Sequence, residues 1–318
     1  MDPWKLIVTG IPSVYMGWTI GADDAGAAMG TAVGAGAITV RRAVLMMAVM
    51  ATLGAALEGG AVVKTLGHGI VKTHMDAVVA AIVVAVAAVW CHAAVAAGIP
   101  LSTTQATVGS IIGAGLALNA PVDWGKTVEI ISAWILAPTA AGIVAFLVSR
   151  AFTAWIRRGK RSLPELERIF RIALTFSGCY VAYSIGANNA ANAVVPLVLS
   201  GVLDVRTASI LGGITIALGA LTAGNKVIET VGHRITQLDP PTAFSAQVAA
   251  AVTTHLGSVL GLPLSINETT SGAVIGVGLS RGSLNTHVIK RMALTWAISP
   301  ASAALISYLA VHAYLHLT

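Results

Sequence analysis

Charge is what this chain has least of. Lys, Arg, Asp and Glu make up 10% of its 318 residues, where a soluble domain carries about 25%, and the mean hydropathy is +0.82. So few charges cannot keep a body of this size in water, which excludes a soluble globular protein and turns most of the exterior towards lipid. Cysteine is nearly absent. Cys91 and Cys179 both lie in apolar segments, so neither a disulfide framework nor a cysteine metal site is indicated. The chain also lacks H-E-x-x-H, G-x-S-x-G and any Cys–His arrangement near a turn in apolar sequence, so no enzyme class is suggested. The net charge of +6 does not read as a nucleic-acid surface, because the basic residues are not interleaved with aromatics on a polar face. Met1-Asp2-Pro3-Trp4-Lys5 shows no basic n-region with an A-x-A exit, so a first span is expected there rather than a cleaved signal.

What is present is apolar sequence in long runs. At about 20 apolar residues per crossing, the length allows about ten to twelve membrane segments in an all-α polytopic protein. Seven of the 19 basic residues, Arg150, Arg157, Arg158, Lys160, Arg161, Arg168 and Arg171, fall in one stretch. The positive-inside rule makes that stretch cytoplasmic. It separates residues 1–149 from residues 172–318, with 150–171 as a basic linker.

Those two parts are copies of one another. Residues 20–70 align with 185–235 at a constant offset without a gap, with about 19 of 51 positions identical. The correspondence resumes after a small deletion. Pro100-Leu101-Ser102 pairs with Pro263-Leu264-Ser265, Gly109 and Gly113 with Gly272 and Gly276, and Trp134 and Pro138 with Trp296 and Pro300. If each copy crosses an odd number of times, the second is inverted relative to the first, as in many secondary transporters. In such folds, interruptions at matching positions of the two copies point to the binding site.

Two pairs of interruptions stand out. The first is Gly21-Ala22-Asp23-Asp24-Ala25-Gly26 with Gly186-Ala187-Asn188-Asn189-Ala190-Ala191-Asn192, each set in apolar sequence. An intramembrane carboxylate costs about 2.5–3.5 kcal/mol on insertion scales, so Asp23 and Asp24 are expected to line a hydrated cavity or bind a cation. The second is Gly98-Ile99-Pro100-Leu101-Ser102-Thr103-Thr104-Gln105 with Gly261-Leu262-Pro263-Leu264-Ser265-Ile266-Asn267-Glu268. There Gly-x-Pro halts a helix, and Ser, Thr and Asn open the next one, so exposed amides and hydroxyls meet at a positive helix end that attracts anions. The Gly-x3-Gly pairs that follow predict close helix packing.

These segments resemble the duplicated signatures of the inorganic phosphate transporter (PiT) family, which also includes sulfate permeases. Gly21 to Gly36 and Gly186 to Gly201 resemble its G-A-N-D-x-A-N-A motif, and 98–116 and 261–282 resemble its P-x-S-T-T-H/Q re-entrant hairpins. The resemblance implies an inverted-repeat cell-membrane symporter, often a homodimer. It would carry phosphate with Na⁺ or H⁺ by alternating access between the hairpin tips and discontinuous helices, with no cofactor. By position, Asp24 falls on the first motif Asp and Asp23 on the preceding Asn. Ser102, Thr103, Thr104 and Gln105 match the first hairpin. In the second half Asn189 replaces the motif Asp, and Ser265-Ile266-Asn267-Glu268 replaces Ser-Thr-Thr-His.

The residues expected on the anion are Ser102, Thr103, Thr104, Ser265, Asn267, Asn188 and Asp24. Those expected on the coupling cation are Asp23, Asp24, Gln105, Asn188, Asn189 and Glu268, with Asp24 and Asn189 as a Na⁺ position. Hydrogen phosphate keeps a proton that a carboxylate can accept, whereas sulfate offers acceptors only, so the acids favour phosphate over sulfate. Those acids repel a dianion unless cations or protons neutralise them, which makes anion and cation binding mutually dependent. A channel is disfavoured because two inward hairpins meeting broken helices describe an occluded site. His92 and His255 are repeat mates read as packing histidines, with proton relay as the alternative. His68 and His233 read as structural, and Glu58 has no acidic mate.

Overall fold

The computed structural model describes residues 2–96, 102–159, 162–234, 239–282 and 286–317. The helices are α1 (Pro3–Gly34), α2 (Val40–Glu58), α3 (Gly60–Lys64), a π-helical turn (Thr65–Gly69), α4 (Ala77–Ala96), α5 (Thr103–Ala117) and α6 (Trp124–Arg158). They continue with α7 (Leu163–Leu199), α8 (Val205–Arg234), α9 (Pro240–Val259), α10 (Ile266–Arg281) and α11 (Thr286–Leu317). Among the described residues there is no strand, only an isolated bridge between Val71 and Val122.

Capping residues mark where helices begin. The Asp2 carboxylate accepts from Trp4 N–H with Pro3 in the first turn, and Asp123 and Asp239 cap α6 and α9 in the same way. Asp123 lies outside the spans. The Lys126 backbone N–H and the Lys72 ammonium hold its carboxyl below the usual carboxylate range. Gly36 and Gly201, repeat mates, both turn the chain after a long helix with φ of 66° and 67°, a conformation that a side chain disfavours.

Among the described residues five helical segments are both long and apolar enough to cross a membrane: α2, α6, α7, Val205–Glu229 of α8 and Trp296–Leu317 of α11. The length alone suggested ten to twelve. α1 and α9 are long enough, but they bury polar faces such as Thr9, Ser13, Thr19 and Asp24, or Thr242, Ser245, Gln247, Thr254 and Ser258. At 15 and 16 residues, α5 and α10 reach about 23 Å, short of the about 30 Å hydrocarbon core, and so make half-crossings. Leu57, Ile135, Leu136 and Leu305 stand exposed at 60% or more, which in a helical body of this composition is a lipid-facing surface. The protein is an integral membrane protein.

The two copies interleave. α1 packs on α8, α2 on α7, α5 on α11 and α6 on α10, so each of these contacts joins the first copy to the second. The expected close packing is present at both Gly-x3-Gly pairs. A Cβ on Gly109 would sit 2.2 Å from the Pro300 carbonyl oxygen, and one on its mate Gly272 would sit 2.1 Å from that of Pro138. The basic stretch is built mostly from the end of α6 and the start of α7, with Lys160 and Arg161 outside the described residues.

One expectation is corrected. α1 and α7 run unbroken through Asp23–Asp24 and Asn188–Asn189, where interruptions were expected. The polar side chains find side-chain and hairpin partners, so the backbone keeps its own hydrogen bonds and nothing forces it to unwind. The break after α9 is real: residues 260–265 leave the helix before α10 starts. Its counterpart before α5, including Pro100 and Leu101, lies outside the described residues.

Candidate functional site

At the centre of the molecule the two copies touch through equivalent residues. Asn189 Nδ2 donates to Asp24 Oδ2 at 2.8 Å, and these two positions are repeat mates. Contact between equivalent positions places the pair on the local symmetry axis. Asp24 is 5% exposed and Asn189 2%.

One turn along α7, Asn188 and Asn192 share a face that receives the hairpins. Asn188 Nδ2 donates to the Leu262 carbonyl at 3.0 Å and to Ser258 Oγ at 3.1 Å, while Leu264 N–H donates to Asn188 Oδ1 at 2.9 Å. Asn192 Nδ2 donates to Thr104 Oγ1 at 3.0 Å, and Thr104 Oγ1 donates to the Leu264 carbonyl at 3.1 Å. The tip of the second hairpin is thereby tied to α7 and to the first turn of α5. Trp134 closes it from another side, donating Nε1–H to the Pro263 carbonyl at 2.9 Å.

Both short helices begin with a buried serine cap. Ser102 Oγ accepts from Gln105 N–H at 3.1 Å, and Ser265 Oγ accepts from Glu268 N–H at 3.4 Å. Each cap satisfies one first-turn amide. The other first-turn amides have no partner within the helix, which leaves donors for an anion at each tip. Ser102 also lies beside the Glu268 carboxyl, so the starts of α5 and α10 approach each other across the copies.

The side chains supply the opposite polarity. Gln105 Oε1, Asn189 Oδ1, Asn192 Oδ1 and Glu268 Oε1 are buried oxygens without a partner. Their orientation is set by the network: Asn189 presents its NH₂ to a carboxylate, and Asn192 presents its NH₂ to a hydroxyl whose proton is already committed. An unsatisfied buried acceptor costs about 1–3 kcal/mol. Such oxygens on α5, α7 and α10 describe places for a ligand that brings positive charge or protons. One carboxylate with amide and hydroxyl oxygens suits a hard monovalent cation. Among the described residues no three His, Cys, Asp or Glu side chains are grouped to hold a transition metal.

Most of the expected residues are brought together here: Asp24, Ser102, Thr104, Gln105, Asn188, Asn189, Ser265 and Glu268 are all buried. Two are placed differently. Thr103 is half-buried, and Asn267 is exposed, because the inward face of α10 is set by Ser265, Glu268 and Thr269 at helical spacing, which turns Asn267 outward. Asp23, half-buried, faces His92 and Cys91 instead of the central pair. The sequence reading missed Asn192 as a site residue, although it stands four residues after Asn188, on the same face. It also missed the hairpin backbone groups, which no residue type announces. An apolar groove of about 830 Å³ lined by Trp134, Pro138, Phe146, Trp296 and Pro300 touches this network at Gln105 and Trp134. Its lining offers almost nothing to solvate an anion.

Half-crossing helices that meet full-length ones around buried, unpartnered polar groups define a membrane protein with an internal site for small ions. The profile of the phosphate transporter family matches residues 20–307. The chain belongs to that family. It is 35% identical to the sulfate permease CysP of Bacillus subtilis, over 95% of this chain and 86% of that protein. It is 31% identical to a putative phosphate permease of Pyrococcus furiosus, over 95% and 94%. A solved structure titled the sodium-dependent phosphate transporter superposes with a TM-score of 0.87 at 29% identity, covering 98% of this chain and 99% of that one.

Proposed function

We propose that this protein is a secondary transporter that moves inorganic phosphate across the cell membrane together with a cation, Na⁺ or H⁺, by alternating access. The observation that carries this reading is the pairing of opposite polarities in one buried network: helix amides at two hairpin tips, beside four unpartnered acceptor oxygens and two acids. The amides take the anion. Asp24, Asn189 and Glu268 take the cation or proton that neutralises it, so each ligand raises the affinity for the other. Hydrogen phosphate also brings its own O–H to an acceptor oxygen, which sulfate does not.

In this proposal Ser102, Thr104, Ser265 and Asn188 shape the anion end. Gln105 and Asn189 complete the cation end. The two copies are taken as inverted, as 1–149 and 172–318 on either side of a cytoplasmic segment at 150–171, and the protein as a homodimer. The sodium-dependent structural relative supports Na⁺ as the first ion to test.

Sulfate is the second reading, and one observation favours it. The alignment with CysP spans 308 residues, whereas that with the archaeal phosphate permease spans 388, longer than this chain, so that permease carries segments this chain lacks. Uptake of labelled phosphate into proteoliposomes under imposed Na⁺ or proton gradients, with excess unlabelled sulfate, decides between them. Saturable phosphate uptake that follows one gradient and ignores sulfate is the expected result. Labelled sulfate uptake without phosphate uptake overturns the choice of anion.

A further inference from the structure

Away from the central network, the two copies repeat a second constellation, and only in the second does a carboxylate join two of the helices directly. In the first copy, Tyr15 Oη meets His92 Nδ1 at 3.1 Å, and three residues along α1 the Trp18 Nε1–H donates to Thr222 Oγ1 of α8 at 2.7 Å. In the second, Tyr180, the mate of Tyr15, meets His255 Nδ1 at 2.7 Å. Tyr183, the mate of Trp18, reaches across to Glu58 of α2, and its ring lies 5.5 Å from that of His255. His255 Nε2 then closes on Glu58 Oε2. The position matching Glu58 in the other copy is Ala223.

The same joint between three helices is thus made once with an aromatic and a threonine and once with a carboxylate and an imidazole. Packing does not require a carboxylate at the Glu58 position, since Trp18 and Thr222 make the corresponding link between α1 and α8 in the first copy. The His255 and Glu58 side chains are 25% and 32% exposed, so neither is sealed in the core. The pair is also wired to the site. One turn after His255, Ser258 accepts from Asn188, the residue that holds Leu262 and Leu264 of the second hairpin tip.

We propose that Glu58, His255 and Tyr180 form a second proton-binding site, present once per chain, that latches α2 to α9 and so sets how readily the second hairpin moves. The proton lies between His255 Nε2 and Glu58 Oε2, and Nδ1–H donates to the Tyr180 hydroxyl. While it is bound, the cluster is neutral overall and α9 is held. When it leaves, a carboxylate faces a neutral imidazole with no positive charge beside it, and the latch weakens. The titratable groups recorded against this proton are Glu58 from α2, His255 from α9, and Tyr180 and Tyr183 from α7.

The inference rests on the transport reading for its effect on rate, and one arm of the test does not. The full chain and its Glu58→Gln and Tyr180→Phe variants are reconstituted, and initial phosphate uptake is measured at a fixed Na⁺ gradient from about pH 6 to about pH 8. Taking the ratio of variant to parent removes the titration of phosphate itself. The ratio for Glu58→Gln and for Tyr180→Phe is expected to change about threefold or more across that range. Labelled sulfate replaces phosphate in the same arm if phosphate is not carried. The transport-independent arm is thermal unfolding in detergent. The parent is expected to be more stable than Glu58→Gln at the acid end of the range, with the difference shrinking as the pH rises. Flat ratios for both variants overturn the proposal, and if neither anion is carried, a stability difference that does not change with pH overturns it.

Discussion

The first copy brings Asp23 and Asp24 to the middle of α1, where the second brings Asn188 and Asn189 to the middle of α7. At the hairpins the order reverses, since the first offers Gln105 and the second Glu268. The backbones remain matched: both hairpin helices start at a buried serine, and both close on a partner helix through a glycine that leaves no room for a Cβ. The difference teaches that the fold needs polarity at these positions but not charge. Charge was kept where it has a use, and it was divided so that each copy contributes a carboxyl to the central network.

That comparison can be broken most severely at Asp24. Asp24→Asn makes the axial pair identical in both copies and keeps an acceptor for Asn189 Nδ2. Cation-driven uptake is expected to fall about tenfold to a hundredfold without loss of folded protein, checked by uptake and by size-exclusion chromatography. Parent-like uptake in this variant would show that the axis is not the cation position. Asn189→Asp sharpens the comparison in the other direction by placing two carboxylates on the axis. Like charges there need an additional cation or proton, so uptake should depend more steeply on cation concentration, by several-fold across a titration. An unchanged titration curve would mean that Asn189 does not face the ion. Thr104→Val, a smaller change, strips one hydroxyl that joins α5, α7 and the second hairpin tip. It leaves the Asn192 amide and the Leu264 carbonyl without that partner, at about 1–3 kcal/mol each, and should appear as a lowered unfolding temperature in detergent.

Much of this was legible in the residues. The duplicated Pro-Leu-Ser placed both helix starts, and Ser102 and Ser265 cap them as serines at such positions do. The Gly-x3-Gly pairs announced close helix contacts. The Asp and Asn pairs announced the centre, yet they misled about the backbone, because a polar residue in apolar sequence can be accommodated by a partner side chain as well as by unwinding. Asn267 was misplaced for a related reason: residue type says what a side chain can bind, and the rotation of α10 decides whether it faces the site. Glu58 and His255 stand 197 residues apart, and the packing of α2 and α9 on α7 brings them together.

The central claim is that anion and cation share one buried network and depend on each other there. It is tested most directly by equilibrium binding of labelled phosphate, with sulfate in parallel, to the purified protein, with Na⁺ absent and saturating, at several pH values. The account predicts that the affinity for one of the anions rises with Na⁺ or with acidity, and that the anion raises the cation affinity by the same factor. Anion binding of unchanged affinity under every cation condition would contradict it.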